Sequence, residues 1–126
     1  MTFLPALSHV DTQLGLSRTG GCLPLYLRFL VRFPEDDSLP GLLAALEQGD
    51  VREAFRCAHA LKGLCIQLGI VDLGETASVI CELLRPLDPS ALPEARKRTQ
   101  ALCALHEQVC RELSSLYRCI LALFVV

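Results

Sequence analysis

The chain has 126 residues and a mass of 13.8 kDa, enough for one hydrophobic core and too short for two ordinary ones, so one domain over 1–126 is expected. Hydrophobic residues make up 52% of it but aromatics only 6%, with no tryptophan, so the core must be built from Leu, Ala, Val, Ile and Cys, which favours helices. A formal charge of −2, a pI near 5.9 and a single short basic run, Arg96-Lys97-Arg98, give no footprint for a phosphate backbone and argue against nucleic acid as a partner.

Seven cysteines are an odd number without a C-x-x-C pair, and most fall inside apolar helical stretches. They read as small buried hydrophobes of a reducing compartment rather than a disulfide framework. The N-terminal MTFLPALSHV lacks the charged and apolar regions of a signal peptide. At the other end CILALFVV is eight apolar residues, short of the ~20 that span a bilayer. The expectation is a soluble cytoplasmic protein without membrane insertion, either free-standing or part of a larger hybrid kinase, whose apolar tail docks on the bundle or on a second copy.

In chain order, a short helical turn is expected near Val10 to Leu14, followed after the Thr19-Gly20-Gly21 turn by a helix over CLPLYLRFLVRF (22 to 33). Pro34 separates it from LPGLLAALEQ (39 to 48), for which Ser38 is the expected N-cap. Gly49 stops that helix, and Asp50 with Glu53 three residues on reads as the capping box of the next, over 51 to 68, which Gly69 ends in a left-handed position. Asp72 and Glu75 repeat the capping-box signature and open a helix ending at Arg85-Pro86. From Ser90 a last long helix carries Leu102, Leu105, Val109, Leu113, Leu116, Ile120 and Leu123 at steps of three and four. No segment alternates with the period of a strand and all connections are short. The economical architecture is all-α, an antiparallel helical bundle with an extra N-terminal piece.

On the 51 to 68 helix, at about 100° per residue, Ala54, Cys57, Leu61, Leu64, Cys65 and Leu68 lie on the side away from His59 and should be core. Arg52, Phe55, Arg56, Lys62, Gly63 and Ile66 lie within roughly 60° of the histidine, so its imidazole faces water on a basic stripe with apolar flanks. Gly63, one turn after His59, costs such a helix about 1 kcal/mol relative to alanine. In return it removes the side chain that would crowd the ring and lets another molecule come close. Lys62 brings an ammonium within reach of anything attached to the ring. The arrangement suits an exposed nucleophile approached by a large substrate, and a phosphoryl group in particular.

His59-Ala60-Leu61-Lys62-Gly63, followed by Gly69 and Leu73, resembles the signature H-x-L-K-G-x-x-x-x-x-G-x-x-x-L of the histidine phosphotransfer (HPt) domain family. The similarity runs back through LLAALEQGDVREAFRCAHALKG and LRFLVRFPED and covers roughly residues 10 to 85, the last long helix resting on fold analogy. The resemblance implies a four-helix bundle with an N-terminal helical cap, a carrier in two-component phosphorelays. His59 would take a phosphoryl group from an aspartyl phosphate of one response-regulator receiver domain, fed by a hybrid histidine kinase, and pass it to another. Lys62 would pair with the phosphoryl oxygens, Gly63 would give clearance, and Gln67 would offer a hydrogen bond near the site. Phe55, Arg56 and Ile66 would meet the partner, Ile66 departing from the small or polar residues common at its position. By the same analogy Nε2 is the reacting nitrogen.

An imidazole in water titrates at about 6.5 and is largely neutral at physiological pH, so one nitrogen is free to attack without a dedicated base. Phosphoryl transfer needs positioning and charge neutralisation, so this surface suffices if the partner receiver contributes magnesium and its acidic pocket. The protein would then hold no cofactor of its own, and no G-x-x-x-x-G-K-[ST] loop for ATP is present. Two rivals stand beside this reading. One is a helical docking module that binds receivers without being phosphorylated. The other is a metal site on the last helix, where Cys103, His106, Glu107 and Cys110 recur at i, i+3, i+4 and i+7, although one helix cannot close a tetrahedral site alone. His9 has no matching constellation.

Overall fold

The computed structural model describes residues 7–124, with side chains as far as Ala122. Leu123 and the end of the apolar tail therefore lie outside the described side chains. Six α-helices follow one another: α1 (Thr12–Arg18), α2 (Leu23–Arg32), α3 (Ser38–Gln48), α4 (Val51–Leu68), α5 (Val71–Leu84) and α6 (Leu92–Phe124). Short 3₁₀ turns, Phe33–Glu35 and Pro89–Ala91, precede α3 and α6, and no strand occurs among the described residues.

Local chemistry explains most boundaries. The Asp50 carboxylate accepts the Glu53 backbone N–H at 3.0 Å and opens α4, while Gly69 at φ 79° closes it in the left-handed conformation. Only half of the expected capping box forms: the Asp50 N–H already donates to the Ala45 carbonyl at 2.9 Å, and the Glu53 carboxylate is taken by Arg56 (Nε–Oε1 2.9 Å). Three expected starts move. Asp11 caps the first helix through the Leu14 N–H at 3.0 Å, shifting it from Val10–Leu14 to Thr12–Arg18. Ser38 is not a cap but the first, nearly buried residue of α3; its N–H is met by the Asp36 carboxylate at 3.0 Å. Asp72 does not cap α5 either. Only Gly69 and Ile70 separate α4 from α5, so the helix is under way before Asp72 is reached, and that carboxylate sits in the first turn, 3.5 Å from His9 Nδ1.

The two-residue connections Gly49–Asp50 and Gly69–Ile70 reverse the chain direction, so α3, α4 and α5 run antiparallel, and α6 returns against α5 and α3 to complete a four-helix bundle. The N-terminal pair forms the cap, α1 lying on α4 and α2 on α6 and α4. Tyr26 of α2 is fully buried and donates its hydroxyl to the Leu68 carbonyl at 2.7 Å. Gly15 of α1 packs against that same pair, where an added Cβ would come within 2.3 Å of both oxygens. On α6, Leu102, Val109, Leu113 and Leu116 are buried, with Leu105 and Ile120 packed at the edge of the core. Arg96, from the one basic run, donates two bonds of 2.9 and 2.7 Å to the Leu46 carbonyl in the last turn of α3, so part of that run is a helix-end clamp. No helix among the described residues is long and apolar enough to cross a membrane.

Candidate functional site

The side chains of α4 divide as its periodicity requires, with one adjustment. Ala54, Cys57, Leu61, Cys65 and Leu68 are buried, but Leu64 is only partly so, while Ala58, not assigned to the core from the sequence, is fully buried. Taken on a helical wheel, the buried arc is rotated by roughly 20° toward the flank that carries Phe55 and Lys62. That is the side where α5 packs closely, and it leaves Phe55 and Lys62 half-buried while His59, Gly63, Arg56 and Ile66 stay exposed.

His59 projects to solvent but is not loose. Phe55, one turn earlier, lies nearly parallel to the imidazole with ring centroids 5.9 Å apart and planes at 24°. The guanidinium of Arg85, the residue that caps the C-terminus of α5, sits 5.5 Å over the Phe55 ring and is held there by Glu82 through Nε–Oε1 and Nε–Oε2 bonds of 3.1 Å. On the other edge, His59 Nδ1 faces the Cys81 thiol of α5 at 3.9 Å. Burial pushes the Cys81 thiol above the ordinary thiol range, against the opposing pull of the nearby Lys62 and Arg85 charges, so it stays protonated at neutral pH.

Lys62 lies one turn along on the α5 flank, and no carboxylate among the described residues forms an ion pair with it. Its ammonium is therefore available to an external anion. Over Gly63 there is open space, since a Cβ built there meets nothing within 4 Å. The glycine relieves no crowding among the described residues. Beyond Lys62 an apolar groove opens between α1, α4 and α5, lined by Leu14, Ile66, Ile70, Val71 and Gly74.

Other residues singled out from the sequence have partners of their own. The Gln67 carboxamide donates to the Arg18 carbonyl at 3.0 Å, and the Arg18 guanidinium donates back to the Ile66 carbonyl, so both residues tie the end of α1 to α4. Arg56 is exposed but paired with Glu53. On α6, His106 packs against Phe33 with ring centroids 5.5 Å apart, burial lowers its pKa, and Cys110 Sγ lies 3.6 Å from its Nδ1. Glu107 turns to Arg111 instead, at 2.6 Å, and no group of three or more metal-ligating side chains forms among the described residues. Sequence reasoning missed Cys81 and Arg85, both of which reach the site from α5. In the sequence they are a cysteine and an arginine of an amphipathic helix, and only the α4–α5 packing brings them to His59.

The described residues thus form an all-helical bundle that presents an exposed, stacked histidine, with a lysine a turn away that forms no ion pair among them. A family model described as the Hpt domain matches residues 28–117, well over half of the chain, and the protein belongs to that family. The match takes in α6 as far as Tyr117, the helix whose membership rested on analogy alone, and leaves out α1. No curated protein and no solved structure matches the chain. Membership gives the chain a histidine-phosphotransfer role in phosphorelays, as a phosphocarrier without kinase activity of its own that interacts with receiver domains.

Proposed function

We propose that His59 is the phosphoacceptor, taking a phosphoryl group from the aspartyl phosphate of one receiver domain and returning it to the aspartate of another. The Nε2 lone pair forms the P–N bond as the acyl P–O bond breaks and the carboxylate leaves with its electron pair. Lys62 pairs with the phosphoryl oxygens, Gly63 leaves room for the receiver's backbone, and Phe55 and Ile66 give that partner apolar surface to cover. Magnesium comes with the receiver, so the two proteins complete one active site between them. A hybrid histidine kinase carries the donor receiver in this scheme. The observation that carries the reading is the conjunction on one face of α4 of an exposed imidazole, an ammonium that forms no ion pair among the described residues and the open space over Gly63.

Incubation with a phosphorylated receiver domain tests it. The expected product is an acid-labile, base-stable phosphate on the wild-type protein and none on His59→Gln. Label that persists in the variant refutes the assignment. Receivers that bind the wild type tightly yet never label it would make the protein a docking module.

A further inference from the structure

The inner edge of the His59 ring has a partner that the transfer reading leaves unused. A neutral imidazole carries one ring proton, and its position decides which nitrogen has a free lone pair. Nε2 can attack phosphorus only while the proton sits on Nδ1, and an Nδ1–H turned toward the bundle needs an acceptor there. The charged groups whose fields reach Cys81 offer no free acceptor: Lys62 and the Arg85 guanidinium are donors only, and the Glu82 carboxylate is bound to Arg85. Among the described residues Cys81 Sγ, fully buried and 3.9 Å from Nδ1, is the group with a lone pair in reach, and the contact fits either direction, Nδ1–H to Sγ or S–H to Nδ1. Phe55, stacked on the ring face, limits rotation away from it.

We propose that Cys81 is a positioning residue: its Sγ accepts the Nδ1–H of His59 and so keeps Nε2 unprotonated and turned to solvent. The proposal rests on His59 being the phosphoacceptor. The Nδ1 proton stays in place throughout. Attack by Nε2 yields a cationic Nδ1–H phosphoimidazole, and transfer onward to a second aspartate breaks the P–N bond and restores the neutral Nδ1–H ring. No base has to collect a proton in either direction. A thiol accepts weakly, so the bias it sets is modest and the ring keeps its freedom to tighten against an incoming phosphoryl group.

The test is nitrogen NMR of ¹⁵N-histidine-labelled protein, at a pH where the ring is neutral, with His59→Gln to assign the resonance. The wild type is expected to hold His59 mainly as the Nδ1–H tautomer. Cys81→Ala should shift it toward Nε2–H and slow phosphoryl acceptance about three- to tenfold without weakening receiver binding. Cys81→Asp, an acceptor with longer reach, should return the Nδ1–H population to the wild-type level or above it. A wild type dominated by Nε2–H overturns the proposal, and so does a Cys81→Ala protein whose tautomer ratio is unchanged, even if its transfer is slow. A tautomer that responds as expected in a protein no receiver can label would instead overturn the phosphoacceptor reading alone.

Discussion

Gly63 has no packing neighbour among the described residues. Its φ is helical, nothing lies within 4 Å of where a Cβ would be, and the surrounding helix would be more stable with almost any other residue. The contrast with Gly69 is instructive: there φ is 79° and a Cβ would meet the Asp11 carbonyl at 2.3 Å, so the fold itself demands glycine. Gly63→Leu should therefore leave the thermal midpoint unchanged or raised, with a gain of up to about 1 kcal/mol, while slowing phosphoryl transfer by about tenfold or more through loss of approach. Calorimetry and a receiver transfer assay on the same preparation separate the two effects. Unchanged transfer would show that clearance is not why the glycine stands there. This pairing of histidine, lysine and glycine was readable in the sequence because one helix carries all three and helical geometry alone fixes their relative directions.

Helix α4 shows where capping chemistry can be read from sequence and where it misleads. Asp50-x-x-Glu53 and Asp72-x-x-Glu75 are the same pattern, yet Asp50 caps and Asp72 does not. The difference lies in register: both links are two residues long and the N-cap position falls on the residue after the glycine, which is Asp50 before α4 but Ile70 before α5, so Asp72 comes two residues too late. Asp50→Ala should cost about 1 kcal/mol in chemical denaturation, the ordinary value for a lost N-cap. Asp72→Ala should cost only a few tenths, the share of a carboxylate near a helix N-terminus. Equal losses would mean that Asp72 carries more than its position suggests. Ser38 fails as a cap for a similar reason, as the Asp36 carboxylate reaches the N–H it would have left exposed.

The N-terminal cap is joined to the bundle through buried contacts, among them the Tyr26 hydroxyl on the Leu68 carbonyl. Burial, with a smaller contribution from the Asp11 charge, pushes the Tyr26 phenol up to about 12 from the ordinary value near 10. The unfolded chain loses this proton first, so between about pH 10 and 12 the native state binds more protons and stability falls as pH rises. Over that window the linkage amounts to roughly 2 kcal/mol. Tyr26→Phe removes the titration but also leaves the Leu68 carbonyl without its donor, a loss of about 1 kcal/mol near neutrality. The gap between wild type and variant in urea denaturation should thus narrow, and then reverse, as the pH is raised from 8 toward 12. A constant gap would mean that the phenol is not held above its unfolded value.

What the sequence by itself determined is whatever one helix can determine. Periodicity, capping and glycine punctuation placed α4 from Val51 to Leu68, pointed His59 outward and set Lys62 and Gly63 beside it, because these relations span only one or two turns. Tertiary structure decided the rest. It rotated the buried arc of α4 toward α5, burying Ala58 and loosening Leu64, and it spent Gln67 on the end of α1. It also delivered Cys81 and Arg85 to the two sides of the Phe55–His59 stack, where the ring's inner nitrogen finds its neighbour. Those contacts join residues from different helices, and their distances follow from how the bundle closes, which no pattern within a single helix encodes.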